Sequence, residues 1–199
     1  MDTIERLTAC LNRLPGVGRR SAERMAVKLA RDRTGLLADL IRVLQDTSEN
    51  LCCCSRCGSI TSVNDEPCKL CTGHDRDESI LCVVEDPNDI MLIERSGAYR
   101  GRYHALMGRI SPSRGEGPSS LRIDSLLERI EKEKFKEIIL ALSTDVEGDS
   151  TASYIIELLK DKQVKISRLA SGLPAGSGIV YSDPLTLSRA IKWRTPQKP

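Results

Sequence analysis

The chain has 199 residues, 40% of them hydrophobic and 29% charged, and a formal net charge of +2. It holds enough Leu, Ile and Val to fill a core, and no apolar run reaches the length of a membrane span. The first residues, MDTIERLTAC, carry acids where a secretory leader carries bases. The sequence therefore predicts a cytoplasmic protein whose eight cysteines stay reduced and bind metal in preference to pairing as disulfides.

The first predicted elements are two helices. Ile4, Leu7, Leu11 and Leu14 recur at helical spacing, and Ala22, Met25, Ala26 and Leu29 do the same. Leu-Pro-Gly-Val-Gly lies between them. Gly16 and Gly18 allow a turn too tight for side chains and leave backbone N–H groups free at the start of the second helix, where a phosphate oxygen is received well. Arg20 and Arg24 stand four apart on one face of that helix. Seven bases between Arg13 and Arg33 face only two acids, Glu23 and Asp32. The pattern resembles a helix-hairpin-helix, a sequence-independent binder of DNA phosphates; an ordinary helical hairpin with a solvated basic face is the alternative, and the charge favours DNA. With aromatics at 3%, base stacking has few platforms, so binding is expected to be electrostatic and sensitive to salt.

A third helix, LADLIRVLQDTSENL, is expected to end in Cys52 and Cys53, read here as its buried terminus. Six of the eight cysteines then fall between Cys52 and Cys71. Cys54, Cys57, Cys68 and Cys71 form C-x2-C-x10-C-x2-C, in which each pair lets one tight turn aim two sulfurs at one ion. Gly58, Pro67 and Gly73 supply the turns. Four cysteine ligands leave no coordination position for water, so the expected ion is structural zinc. His74 lies three residues beyond Cys71, but the quartet is complete without it.

From Ser79 the pattern alternates. ILCVVE reads as a buried strand, NDIMLIERSG as a helix closed by Gly97, and LRIDSLLERIEKEK as an amphipathic helix. EIILALS, STASYIIELLKDK and VKISRLA follow as strand, helix and strand. Such alternation predicts a parallel sheet with both faces covered. Functional groups gather at the carboxyl ends of such strands, and acids are found there: Glu85 and Asp89 after the first, and Asp145, Glu147 and Asp149 after the second. STDVEGD resembles the Toprim signature, whose clustered acids hold magnesium. Ser143 stands where the first acid of Asp-x-Asp would be, so the catalytic set is incomplete and no enzyme is expected. The rival reading is a nuclease-like phosphotransfer enzyme using Glu85, Asp145 and Glu147, and the bland one a zinc-stabilised adaptor. Tyr99 and Tyr103 are assigned to sheet packing. SGLPAGSG lacks a P-loop ending and reads as a turn. A last helix begins at Asp183-Pro184, and its apolar residues suit either a subunit contact or packing on the sheet.

In order, the Leu-Pro-Gly-Val-Gly hairpin, the four-cysteine knuckle, VVEDPND, GRYHALMGRISP, VEGDSTASYI and SRLASGLPAG resemble the RecR family of bacterial recombination mediators over essentially the whole chain. The resemblance implies an α/β protein with a small all-α module, divided into a helix-hairpin-helix DNA-binding module (residues 1–50), a four-cysteine zinc finger (51–76), a Toprim domain (79–174) and a C-terminal segment for subunit contact (175–199). It implies a nucleoid-associated, ring-forming DNA clamp, dimeric to tetrameric, that acts with RecO and RecF. The clamp would help load RecA on gapped or single-stranded DNA coated by single-strand-binding protein. Carried over by residue, Arg20 and Arg24 contact DNA, and Cys54, Cys57, Cys68 and Cys71 bind zinc. Glu85, Asp89, Glu147 and Asp149 are the Toprim acids, to which this chain adds Asp145, and they are expected to dock partners or hold magnesium. The zinc knuckle is expected to act as a rigid joint between the hairpin and the sheet. The chain departs from the family pattern at LSTDVEGD and SPSRGEGP.

Overall fold

A computed structural model describes residues 2–170, 172–173, 176 and 178–195. The SGLPAGSG turn lies partly outside the described residues. The chain forms two compact units, Met1–Cys52 with Ser62–Asn64, and Cys53–Thr61 with Asp65–Pro199.

In the first unit, α1 (Thr3–Leu11) starts at Asp2, whose side chain and that of Glu5 form a reciprocal capping box. Gly16 adopts φ +75°, the left-handed region that the turn into the next helix requires. α2 (Arg19–Arg31) packs against α1 and buries Ala22, Ala26 and Leu29, one stripe at helical period. α3 (Leu36–Asn50) buries no residue at all, although Leu40, Ile41 and Leu44 lie along it.

Helix α3 stops at Asn50. Leu51–Cys53 is strand β1, paired with β2 (Ile60–Ser62), so Cys52 and Cys53 are not a buried helix terminus, and Cys53 is exposed. The sequence carries the reason: a strand alternates faces, so Cys54 turns inward while Cys53 turns out.

The second unit is built on a four-stranded parallel sheet of order β4-β3-β5-β6, formed by β3 (Asp77–Val84), β4 (Gly101–Ala105), β5 (Glu137–Ala141) and β6 (Lys165–Arg168). The short α4 (Lys69–Thr72) precedes it, and α5 (Pro87–Ser96), α6 (Ile123–Glu133), α7 (Val146–Leu159) and α8 (Pro184–Lys192) follow. Successive residues of β3 face opposite sides. Leu81 and Val83 join Ile138 and Leu140 beneath α6 and α7, where Leu126, Ile130, Ala152 and Ile155 cover them. Cys82 and Val84 point the other way, toward Ile90 of α5, Tyr103 and the four cysteines of the knuckle. The knuckle is thus part of the layer over one face of the sheet.

Strand β4 is an edge strand whose five residues are all buried. Ala105 N–H donates to the Cys57 carbonyl at 2.7 Å, Arg76 donates to the Gly101 carbonyl at 2.8 Å, and Arg129 donates to the Tyr103 carbonyl. Tyr103 donates to Glu94 at 2.6 Å, and Tyr99 to the carbonyls of Ile80 and Arg102, so both tyrosines belong to sheet packing. Among the described residues, no helix is long and apolar enough to cross a membrane.

Candidate nucleic-acid interface and metal centre

Helix α2 carries the basic surface of the first unit. Gly18 is its N-cap with extended backbone and no capping side chain, so the first-turn N–H groups lack an intramolecular cap. Arg20, Arg24, Lys28 and Arg31 line one side of the helix around an open cavity of about 1000 Å³, with Glu23, Val27 and Asp32 completing its wall. Arg19 does not share this role: its guanidinium pairs with Glu23 at 3.1 Å. Arg20 and Arg24 stand together as the spacing requires. Lys28 and Arg31 extend the stripe by two positions, and the helical period beyond Arg24 is the signal that would have found them.

The four cysteines come together in the second unit. Their sulfurs all lie within 4.8 Å of one another and all four are buried. Cys54 Sγ is 3.9 Å from Cys71 Sγ, and Cys57 Sγ is 3.4 Å from Cys68 Sγ. A tetrahedron with zinc–sulfur bonds of about 2.3 Å has sulfur–sulfur edges of about 3.8 Å, so the cage is the right size for such an ion. Backbone N–H groups of Ser59 and Cys68 point at Cys57 Sγ and Cys54 Sγ, each at 3.4 Å, the arrangement that supports thiolates. The electrostatics point the same way. Hydrogen bonding with Cys68 and then burial push the Cys57 thiol up to about 12, and contact with Cys57 and Cys68 pushes Cys71 up as well. Hydrogen bonds from Cys57 and Cys71 hold Cys68 down. Protein groups alone do not ionise this quartet together; a divalent cation removes that repulsion. Gly58 sits at φ +84°, and a Cβ there would come within 2.5 Å of Arg122 Nη1. The knuckle therefore closes only over a glycine. His74 is exposed and outside the cluster.

The acids at the carboxyl ends of β3 and β5 are arranged differently from a bare carboxylate cluster. Glu85 accepts from the Ser143 backbone N–H at 2.7 Å and from the Ser143 hydroxyl at 2.9 Å. Where a second carboxylate would repel Glu85, Ser143 donates to it. Asp89 belongs to the capping box of α5, accepting from Asp86 N–H at 2.9 Å. Asp145 is the N-cap of α7, and its carboxyl is held below the usual range by the Gly148 N–H and then by Arg109, 2.6 Å away. Glu147 meets Arg109 at 2.7 Å, Arg114 at 3.2 Å and the Ser111 hydroxyl. Asp149 meets Arg168 at 2.8 Å and Arg189 at 3.0 Å. Four arginines thus interleave with these carboxylates. Three of them, Arg109, Arg168 and Arg189, lie outside the segments that announced the acids. Among the described residues, the cysteine quartet is the only group of His, Cys, Asp or Glu donors close enough to share one ion.

A basic helical hairpin and a parallel sheet with acidic strand ends and a four-cysteine cage define a DNA-handling architecture, and comparison with known proteins agrees. The Toprim domain family matches residues 79–170, and the family described as "RecR, helix-hairpin-helix" matches residues 4–47. The chain is similar to proteins named "Recombination protein RecR" along nearly its whole length. It is 42% identical over 191 residues to the one from Bifidobacterium longum subsp. infantis, covering 96% of this chain and 94% of the relative. It is 43% identical over 193 residues to that of Moorella thermoacetica (97% and 96%) and 46% identical over 192 residues to that of Rhodopseudomonas palustris (96% and 95%). The chain belongs to the RecR family of recombination proteins.

Proposed function

We propose that this protein is a recombination mediator that holds DNA without reading its sequence and acts with RecO and RecF to help load RecA on gapped or single-stranded DNA coated by single-strand-binding protein. The observation that carries the reading is the stripe of Arg20, Arg24, Lys28 and Arg31 on α2, next to the tight turn at Gly16 and the uncapped start at Gly18. Positive side chains at helical spacing grip successive phosphates, and a bare helix start accepts a phosphate oxygen.

The cysteine cage holds structural zinc in this proposal, because its four ligands are all thiolates and leave no open position. Glu85, Asp89, Asp145, Glu147 and Asp149 act in partner docking and not in catalysis. Ser143 and the interleaved arginines support that assignment: a magnesium ion at these acids would have to displace Arg109 from Asp145 and Glu147. The protein works as a ring or clamp of several copies. Helix α3, with no buried residue, and the exposed Val180, Tyr181 and Trp193 near α8 are the apolar surfaces that support assembly. Several weak basic hairpins around one DNA then hold it persistently.

The test is fluorescence anisotropy with single-stranded and gapped DNA between about 50 and 200 mM salt. Arg20→Ala with Arg24→Ala is expected to weaken binding and to flatten the plot of log affinity against log salt by about 1.8 for each engaged subunit on duplex DNA. Metal content stays full. Unchanged affinity and slope would remove the α2 stripe from the interface.

A further inference from the structure

We infer that the pocket at the carboxyl ends of β5 and β6 receives the terminal carboxylate of a polypeptide whose last side chain is apolar. The register pairs Leu140 with Arg168, so the two strands end side by side, where open parallel sheets take their ligands. The cavity holds about 280 Å³. Its floor is buried Leu140 and Leu142, and Thr144, Thr186, Arg168 and Arg189 stand around it. Among the described residues, no acid lines it.

The charge at the rim is unbalanced. Arg168 and Arg189 share the single carboxylate of Asp149, at 2.8 and 3.0 Å, and Arg189 turns a further N–H to the Thr144 carbonyl at 2.6 Å. Two guanidiniums against one carboxylate leave one positive charge over, and each guanidinium carries five N–H donors. An incoming carboxylate neutralises that charge through charge-assisted hydrogen bonds. The leucine floor selects what the carboxylate is attached to. A phosphate or a sugar would leave the floor uncovered and its own polar groups without partners, whereas an aliphatic side chain covers Leu140 and Leu142. The volume suits one residue and the peptide unit before it, being at the small end for ligand pockets. The site lies wholly in the second unit and is independent of DNA binding by α2, so failure of either proposal leaves the other standing.

The experiment is isothermal titration of the full-length protein, without DNA, with acetyl-alanyl-leucine, with the same peptide as its amide, and with inorganic phosphate. The free acid is expected to bind and the amide to bind at least about tenfold more weakly, since it lacks the charge. Arg168→Gln is expected to abolish the preference for the acid while Arg189 still holds Asp149. A second readout needs no variant: the methyl resonances of Leu140 and Leu142 shift when the acid is added. Equal binding of acid and amide, binding of phosphate in place of the peptide, or neither heat nor methyl shifts at millimolar peptide would each overturn the assignment.

Discussion

His104 allows the quantitative reasoning to be tested at one atom. It is fully buried in β4, its Nε2 lies 2.9 Å from the Arg122 carbonyl, and its Nδ1 has no hydrogen-bond partner. Since a carbonyl can only accept, Nε2 carries the proton and the ring is neutral with Nδ1 bare. Protonating Nδ1 would place a charge in the core. Burial opposes that first, and the guanidiniums of Arg122 and Arg129 add to it; the Arg122 carbonyl and Glu133 favour the charge but do not prevail. The pKa falls from 6.5 to about 4. Because the folded value lies below the unfolded one, the neutral ring stabilises the fold fully above the unfolded value, and that contribution is lost as pH falls from 6.5 toward about 4. Each unit is about 1.36 kcal/mol, so between pH 7 and pH 5 the loss is about 2 kcal/mol, a large share of the stability of a typical domain. His104→Gln keeps a donor for the Arg122 carbonyl and removes the titration. Urea unfolding of both proteins across this pH range isolates the histidine, because every other titrating group, the cysteines included, is common to the pair. The wild type is expected to lose about 2 kcal/mol more than the variant on acidification. A difference between the two that does not change with pH would refute a buried neutral ring.

Two further outcomes follow from the metal centre and the acid pair. Chelation, or Cys57→Ser, is expected to lower the melting temperature by roughly 10 °C, equivalent to about 3 kcal/mol, as the cage loses its cation; an unchanged melting curve would remove the structural role. Ser143→Asp replaces a donor to Glu85 with a second carboxylate and is expected to cost about 1–3 kcal/mol at neutral pH, relieved in acid, as read by urea titration. No loss at neutral pH would mean that Ser143 does not hold Glu85.

What can be read from the sequence depends on the range of the interaction. Helical and strand periods place α2, α6, β3 and β5 because the apolar stripe of each is local, and the spacing of Cys54, Cys57, Cys68 and Cys71 names the quartet for the same reason. The strand GRYHA is harder to read, since it buries Arg102 and His104. Each is satisfied by a carbonyl far along the chain, Arg102 by Leu70 and His104 by Arg122. The acids at the strand ends are legible, but their partners are not. Arg109 reaches Asp145 and Glu147, and Arg189 reaches Asp149, across separations that no periodicity encodes. An acidic segment in the sequence thus becomes a mixed-charge edge in the fold. Cys52 and Cys53 show the opposite hazard: a helical pattern runs on through residues whose strand pairing with Ile60–Ser62 is set by the turn at Gly58.

The knuckle does more than fill one side of the sheet. By accepting the Ala105 N–H, the Cys57 carbonyl closes the flank of β4, an edge whose unpaired backbone would otherwise invite another strand. Metal loss therefore changes how molecules meet one another as well as how firmly each is folded. An opened knuckle bares a strand edge next to Cys82, Val84 and Ile90, and such an edge recruits its own kind. For this chain the metal guards against aggregation, and clumping, not gradual unfolding, is the expected sign of its absence.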